Sequence, residues 1–158
     1  MQEELEKATW TDADFDVMGW HDCRVHAVSI GVREGNFPWN RVLLDLDYIV
    51  KWVDPAPGER HFSFWIAPAT LVFDEVWDIT GQLDPMNDLL EIAGLYRLAS
   101  PDHNPDPVWH VDGQNFDLRL RASAYTQYLR KPPIHSAKAQ YLTQTERGGL
   151  SFAEQSFS

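Results

Sequence analysis

A chain of 158 residues, 44% hydrophobic and 23% charged, is one domain with a sizeable core; disordered, fibrous and coiled-coil classes are excluded. Lys and Arg number 13 against 24 Asp and Glu, a formal net charge of -11. Such a surface repels a nucleic-acid backbone or an anionic membrane, and no apolar run nears the ~18 residues of a spanning helix.

The acidic, polar stretch Met1 to Ala8 lacks the basic and apolar regions of a signal peptide. The single Cys23 allows no internal disulfide, so the expected location is the cytoplasm. Thr11 and Asp14 form a capping-box pattern ahead of Phe15 and Met18, predicting a short helical turn that Gly19 ends. Arg24 to Arg33 alternates as a strand, with His26, Val28, Ile30 and Val32 on one face. Arg41 to Trp52 alternates more clearly: Val42, Leu44, Leu46, Tyr48, Val50 and Trp52 share a face, and Leu43, Asp45, Asp47, Ile49 and Lys51 the other. As an antiparallel hairpin over Glu34 to Asn40, the two strands register with Val32 opposite Val42, Ile30 opposite Leu44 and His26 opposite Tyr48. Phe62 to Ile66 and Thr70 to Ile79 read as two further strands, with Pro68 at a bulge or edge between them. Leu89 to Leu98 fits a helix stripe or a strand; Gly94 in mid-run costs a helix about 1 kcal/mol, which favours the strand. Asp112-Gly113 between Val108–Val111 and Phe116–Ala122 is a hairpin signal, with Phe116, Leu118, Leu120 and Ala122 inward and Asp117, Arg119 and Arg121 outward. A short helix is expected over Ala137 to Leu142, followed by a second capping box, Thr143 with Glu146, stopped by Gly148-Gly149.

Four segments together resemble a family of small, uncharacterised bacterial proteins: Trp20-His21-Asp22-Cys23 with His26; Leu44-Asp45-Leu46-Asp47-Tyr48-Ile49; Ala67-Pro68-Ala69-Thr70-Leu71-Val72-Phe73; and Arg147-Gly148-Gly149-Leu150-Ser151-Phe152. The resemblance spans Trp20 to Phe152 and implies a mainly β fold. It brings no activity and no catalytic residue with it.

Three constellations carry chemistry. His21 and Asp22, with His26, have the donor types of a zinc or iron site, and Asp45 with Asp47 would complete a His/Asp set. The hairpin register opposes a single site: it places His26 on the core face, bonded to Tyr48 or a backbone carbonyl, and both aspartates on the other. Asp45 and Asp47 lie about 7 Å apart on one strand face, a spacing suited to general acid and base work. The favoured reading is a solvated charge ladder with Arg119 and Arg121, each pair contributing about 0.2–1 kcal/mol. Among seven tryptophans, Trp52 and Trp77 point to a core, whereas Trp39 in the Phe37–Asn40 loop is the candidate recognition residue. Gly-x-Ser-x-Gly, P-loop and dinucleotide fingerprints are absent, and a buried thiol is expected at Cys23.

The fold expected is therefore mainly β, α+β at most: a curved antiparallel sheet forming a sandwich or partial barrel, with short peripheral helices, in one domain over 1–158 whose core spans about 20–152. The expected function is non-enzymatic binding of another protein, of the immunity or inhibitor kind. Its candidate residues are Trp39, His21, Asp22, Asp45 and Asp47, without cofactor or metal, nucleic acid or membrane. The alternative is a small metal-dependent or acid/base hydrolase using His21, Asp22 and Asp45/Asp47.

Overall fold

The computed structural model describes residues 4–32, 34, 35, 39–84 and 89–158. Phe37 and Pro38 of the expected hairpin loop lie outside them. The strands are β1 (Thr9–Thr11), β2 (Arg24–Gly31), β3 (Asn40–Val53), β4 (Ser63–Leu83), β5 (Leu90–Leu98), β6 (Val108–Gln114), β7 (Phe116–Arg121), β8 (Tyr125–Leu129) and β9 (Ile134–Ser136). A 3-10 helix over Asp12–Val17 and one α-helical turn, α1 (Gln144–Arg147), complete the elements. No helix among the described residues is long and apolar enough to cross a membrane.

All strand pairs are antiparallel, and they build one strongly curved sheet. β4 is its spine. One edge of β4 pairs with β3; β9, β8 and β7 follow one another along the other. β3 leads through β2, β5 and β6 to β7, and β7 returns to β4, so the sheet closes on itself as a partial barrel. The closure is short where β2 meets β5: Arg24 and Val25 pair with Glu91 and Leu90, and just before them Asp22 and Cys23 exchange backbone hydrogen bonds with Ile92.

The two strands expected between Phe62 and Ile79 are one, Ser63–Leu83. Pro68 fits because the partner on its edge changes there: β9 ends opposite Ile66, and β8 begins opposite Ala69. A missing N–H breaks no ladder bond at that seam. Further along, Glu75 and Asp78 both adopt positive φ (53°), and the β4–β7 register shifts between Trp77 and Thr80. These left-handed residues bend the strand around the barrel corner.

The first capping box forms as read, Asp14 accepting from the Thr11 N–H at 3.0 Å, and so does the second, Glu146 accepting from the Thr143 N–H at 2.9 Å. The helix expected over Ala137–Leu142 does not form. There the Ser136 hydroxyl donates to the Ala139 carbonyl and the Leu142 N–H donates to Asp47, which holds the segment open. Leu90–Leu98 is a strand, as Gly94 suggested.

The β6–β7 hairpin forms, but its turn is Gln114-Asn115, with Asn115 at φ 56°, not Asp112-Gly113. Gly113 is needed inside the strand, because a Cβ there would lie 2.2 Å from the Glu91 carbonyl oxygen. Gly113→Ala should therefore cost about 2–3 kcal/mol, the upper end of ordinary single substitutions. Gly19→Ala, with open space around it, is the control. Denaturant melts of the two variants that coincide would refute this close approach.

The core is aromatic. Trp20, Trp109, Tyr125, Phe73 and Tyr48 are buried and meet edge-on or tilted, ring centroids 5.3–6.0 Å apart. The Trp20 indole donates to Gln127 (2.8 Å) and the Trp109 indole to the Ala122 carbonyl (2.9 Å), so neither buries an unpaired N–H. Trp52 and Trp77, expected in the core, are 39% and 37% exposed. The alternation slips before each of them: the β3–β4 register shifts between Ile49 and Lys51, which sets Trp52 opposite Phe64 on the aspartate face, and past the left-handed Glu75 it is Val76, not Trp77, that is buried.

Candidate functional site

Asp45 and Asp47 lie on the β3 face opposite Leu44 and Leu46, as the alternation requires, yet both are fully buried. The C-terminal segment covers that face. The Arg147 guanidinium enters between the carboxylates, donating to Asp45 Oδ1 (2.6 Å) and Oδ2 (3.0 Å) and to Asp47 Oδ1 (3.0 Å). Arg130 adds a bond to Asp45 Oδ1 (2.7 Å) and one to the Thr70 hydroxyl (2.8 Å). The Ser151 N–H donates to Asp45 Oδ2 (2.9 Å) and the Leu142 N–H to Asp47 Oδ2 (2.9 Å). Two carboxylates thus meet two guanidiniums, and every carboxylate oxygen has a partner.

His26 belongs to the same network: its Nε2 donates to Asp47 Oδ2 at 2.7 Å. This corrects two expectations. The hairpin register is displaced by two residues, with Ile30 opposite Val42 and Val28 opposite Leu44, and a bulge interrupts it between Val25 and Ala27. A two-residue displacement leaves faces unchanged; the bulge turns His26 to the aspartate side. The Tyr48 hydroxyl instead accepts the Gly19 N–H. The ladder with Arg119 and Arg121 is also overturned. β7 pairs with the far half of β4 and never neighbours β3. Arg121 is buried against Asp102 (2.7 and 3.0 Å) and over the Trp77 ring (4.1 Å), while Arg119 is exposed.

Electrostatics follow the geometry. Burial pushes the Asp45 carboxyl up, but Arg147, the Ser151 N–H and Arg130 together outweigh it and hold Asp45 below the ordinary carboxylate value. Its stabilising contribution is therefore present above the unfolded-state pKa of about 3.9 and fades as pH falls through the lower folded value. Asp102 behaves alike: the Ser100 hydroxyl and Arg121 draw it down to about 2. Acid unfolding should set in below pH ~4 in the native chain, and Asp45→Asn should flatten that dependence; a thermal-melt series against pH reads it. An unchanged slope would contradict the pairing.

His21 and Asp22 stand apart. The His21 side chain is 70% exposed, 3.3 Å from Asp22, and Asp22 Oδ2 accepts the Gln140 amide at 3.0 Å. Neither bonds to Asp45 or Asp47. Among the described residues the one group of three or more His, Cys, Asp or Glu side chains with ligand atoms mutually within 4.8 Å is His110, Asp112 and Asp117, which includes none of the predicted residues. Cys23 is buried, as expected, and burial pushes its thiol up to about 12. Trp39 is exposed (57%) beside Gly31, Val32, Glu34 and Arg41, which line a cavity of about 330 Å³ with it.

Sequence reasoning missed Arg147, Arg130 and the role of His26. One signal was available: Arg147 follows a capping box and precedes the glycine pair, so its guanidinium is held at a fixed place. Gly148 adopts φ 81° there, the left-handed stop of α1.

Comparison with protein-family models, with curated proteins and with solved structures gives no match.

Proposed function

We propose that the protein is a non-enzymatic module that binds another protein, of the immunity or inhibitor kind, and docks through the open end of the β2–β3 hairpin. The observation that carries this is an exposed apolar surface on an unpaired strand edge. Ile30, Val32 and Trp39 are 50%, 75% and 57% exposed. Among the described residues, no strand pairs with the outer edge of β2 beyond Val25. An open edge can accept a partner strand, and an exposed tryptophan beside it supplies an anchor. The net charge of -11 steers a basic partner toward the molecule. The single buried Cys23 fits a cytoplasmic location, and a small bacterial protein of the kind the motif set resembles fits the same reading.

The hydrolase alternative has less support. Asp45 and Asp47 have no oxygen left for a metal or a proton transfer, and His21 has no link to them. The test is a photo-crosslinking residue at Val32 and, as control, at Tyr96, in the producing cell. One adduct specific to Val32 and abolished by Trp39→Ala is expected. Adducts equal at both positions, or indifferent to Trp39→Ala, would contradict the docking surface.

A further inference from the structure

A second surface, distinct from the hairpin end, has the composition of a ligand site. Trp52, Phe62 and Phe64 enclose a cavity of about 510 Å³ together with Arg60, His61, Lys138 and Gln140. That volume lies within the ~300–1,000 Å³ of small-molecule sites. The walls are aromatic and set at right angles: Trp52 meets Phe64 at 4.9 Å and Phe62 at 5.8 Å, both at 79° between planes. Trp52 and Phe62 nevertheless keep large faces in solvent. The His21 ring lies tilted against Trp52 at 6.1 Å.

The charge is what singles the cavity out. Two of its seven lining residues, Arg60 and Lys138, are cations and none is acidic, in a chain with 24 Asp and Glu against 13 Lys and Arg. The neighbouring carboxylates are engaged by hydrogen bonds. Asp22 is taken by Gln140, and the Glu59 side chain accepts the Ala56 N–H. Among the described residues, Arg60 and Lys138 make no ion pair.

We propose that this cavity binds a planar aromatic ligand carrying an anionic group, a carboxylate or a phosphate. The ring would lie in the corner of Trp52, Phe62 and Phe64, and the anion would face Arg60 and Lys138. Edge and face contacts of aromatic pairs hold the body. The two cations choose its charge.

The test uses the full chain with four probes: 2-naphthoate, 1-naphthyl phosphate, 1-naphthylmethylamine and inorganic phosphate. Calorimetry gives affinity, and the Trp52 indole N–H resonance reports the place. Both aromatic anions are expected to bind at least about tenfold more tightly than the aromatic cation and to shift Trp52. A difference between the two anions separates phosphate from carboxylate recognition. The pair Arg60→Gln and Lys138→Gln should abolish the preference, and Trp52→Ala should abolish binding, with unchanged circular dichroism in each. Equal binding of the cation, equal binding of inorganic phosphate alone, or a silent Trp52 resonance overturns the proposal.

Discussion

Arg147→Met is expected to destabilise the protein by about 3–5 kcal/mol, because it leaves two buried carboxylates without their shared cation. The residue is buried between its own segment and the sheet, only 2% exposed, and bonds Asp45 and Asp47 through three nitrogens. Breaking one member of such a group is worse than removing the group. Joint replacement of Asp45, Asp47 and Arg147 by apolar residues of similar size should therefore recover part of the loss, and only part, because Arg130, His26 and the Ser151 and Leu142 N–H groups then lose their acceptors. Chemical denaturation of the single and triple variants checks this. A single substitution costing under ~1 kcal/mol would mean that water reaches the pair and that the segment from α1 to Ser151 lies loosely on the sheet.

Trp109→Ala should cost a similar amount, about 3–5 kcal/mol, by opening a cavity among Phe73, Tyr125 and Phe15 and removing the donor to the Ala122 carbonyl. Trp52→Ala, at a position the sequence assigns to the core, should cost far less, since a large part of its ring is already in solvent. Trp39→Ala should stay within about 0.5 kcal/mol of the native protein, as exposed substitutions do. Thermal melts of the three variants rank them. Equal losses at Trp39 and Trp109 would place Trp39 in the core and remove the anchor from the hairpin end.

The contrast between those tryptophans marks how far the sequence reaches. Alternation in β3 separates Leu44 and Leu46 from Asp45 and Asp47 correctly, because a period of two is a property of the strand itself. Whether a face is then covered depends on chain far away. Arg147 reaches Asp45 from 102 positions along the sequence, and no local pattern near Asp45 announces it. That is why buried aspartates read as solvated ones. The bulge at His26 is similarly silent, since an extra residue in a strand leaves the apolar alternation looking regular on both sides. Caps were legible because their chemistry is local: a threonine, an acid three positions on, and the N–H groups between. Gly113 misled for the opposite reason. Asp-Gly is a common turn pair, but here the glycine makes room for the Glu91 carbonyl of β5, and Asn115 takes the turn.

Asp45 and Asp47 hold the C-terminal segment to the sheet, and the proposed non-enzymatic role requires that they exchange no proton with a substrate. A titration of the Asp45 side-chain carboxyl carbon by NMR addresses it directly. The account predicts that Asp45 stays ionised below the ordinary carboxylate range, held by Arg147, the Ser151 N–H and Arg130, and that Arg147→Met raises its titration. A native Asp45 that titrates at or above that range would contradict the account, because such a carboxyl is free to exchange a proton with a substrate.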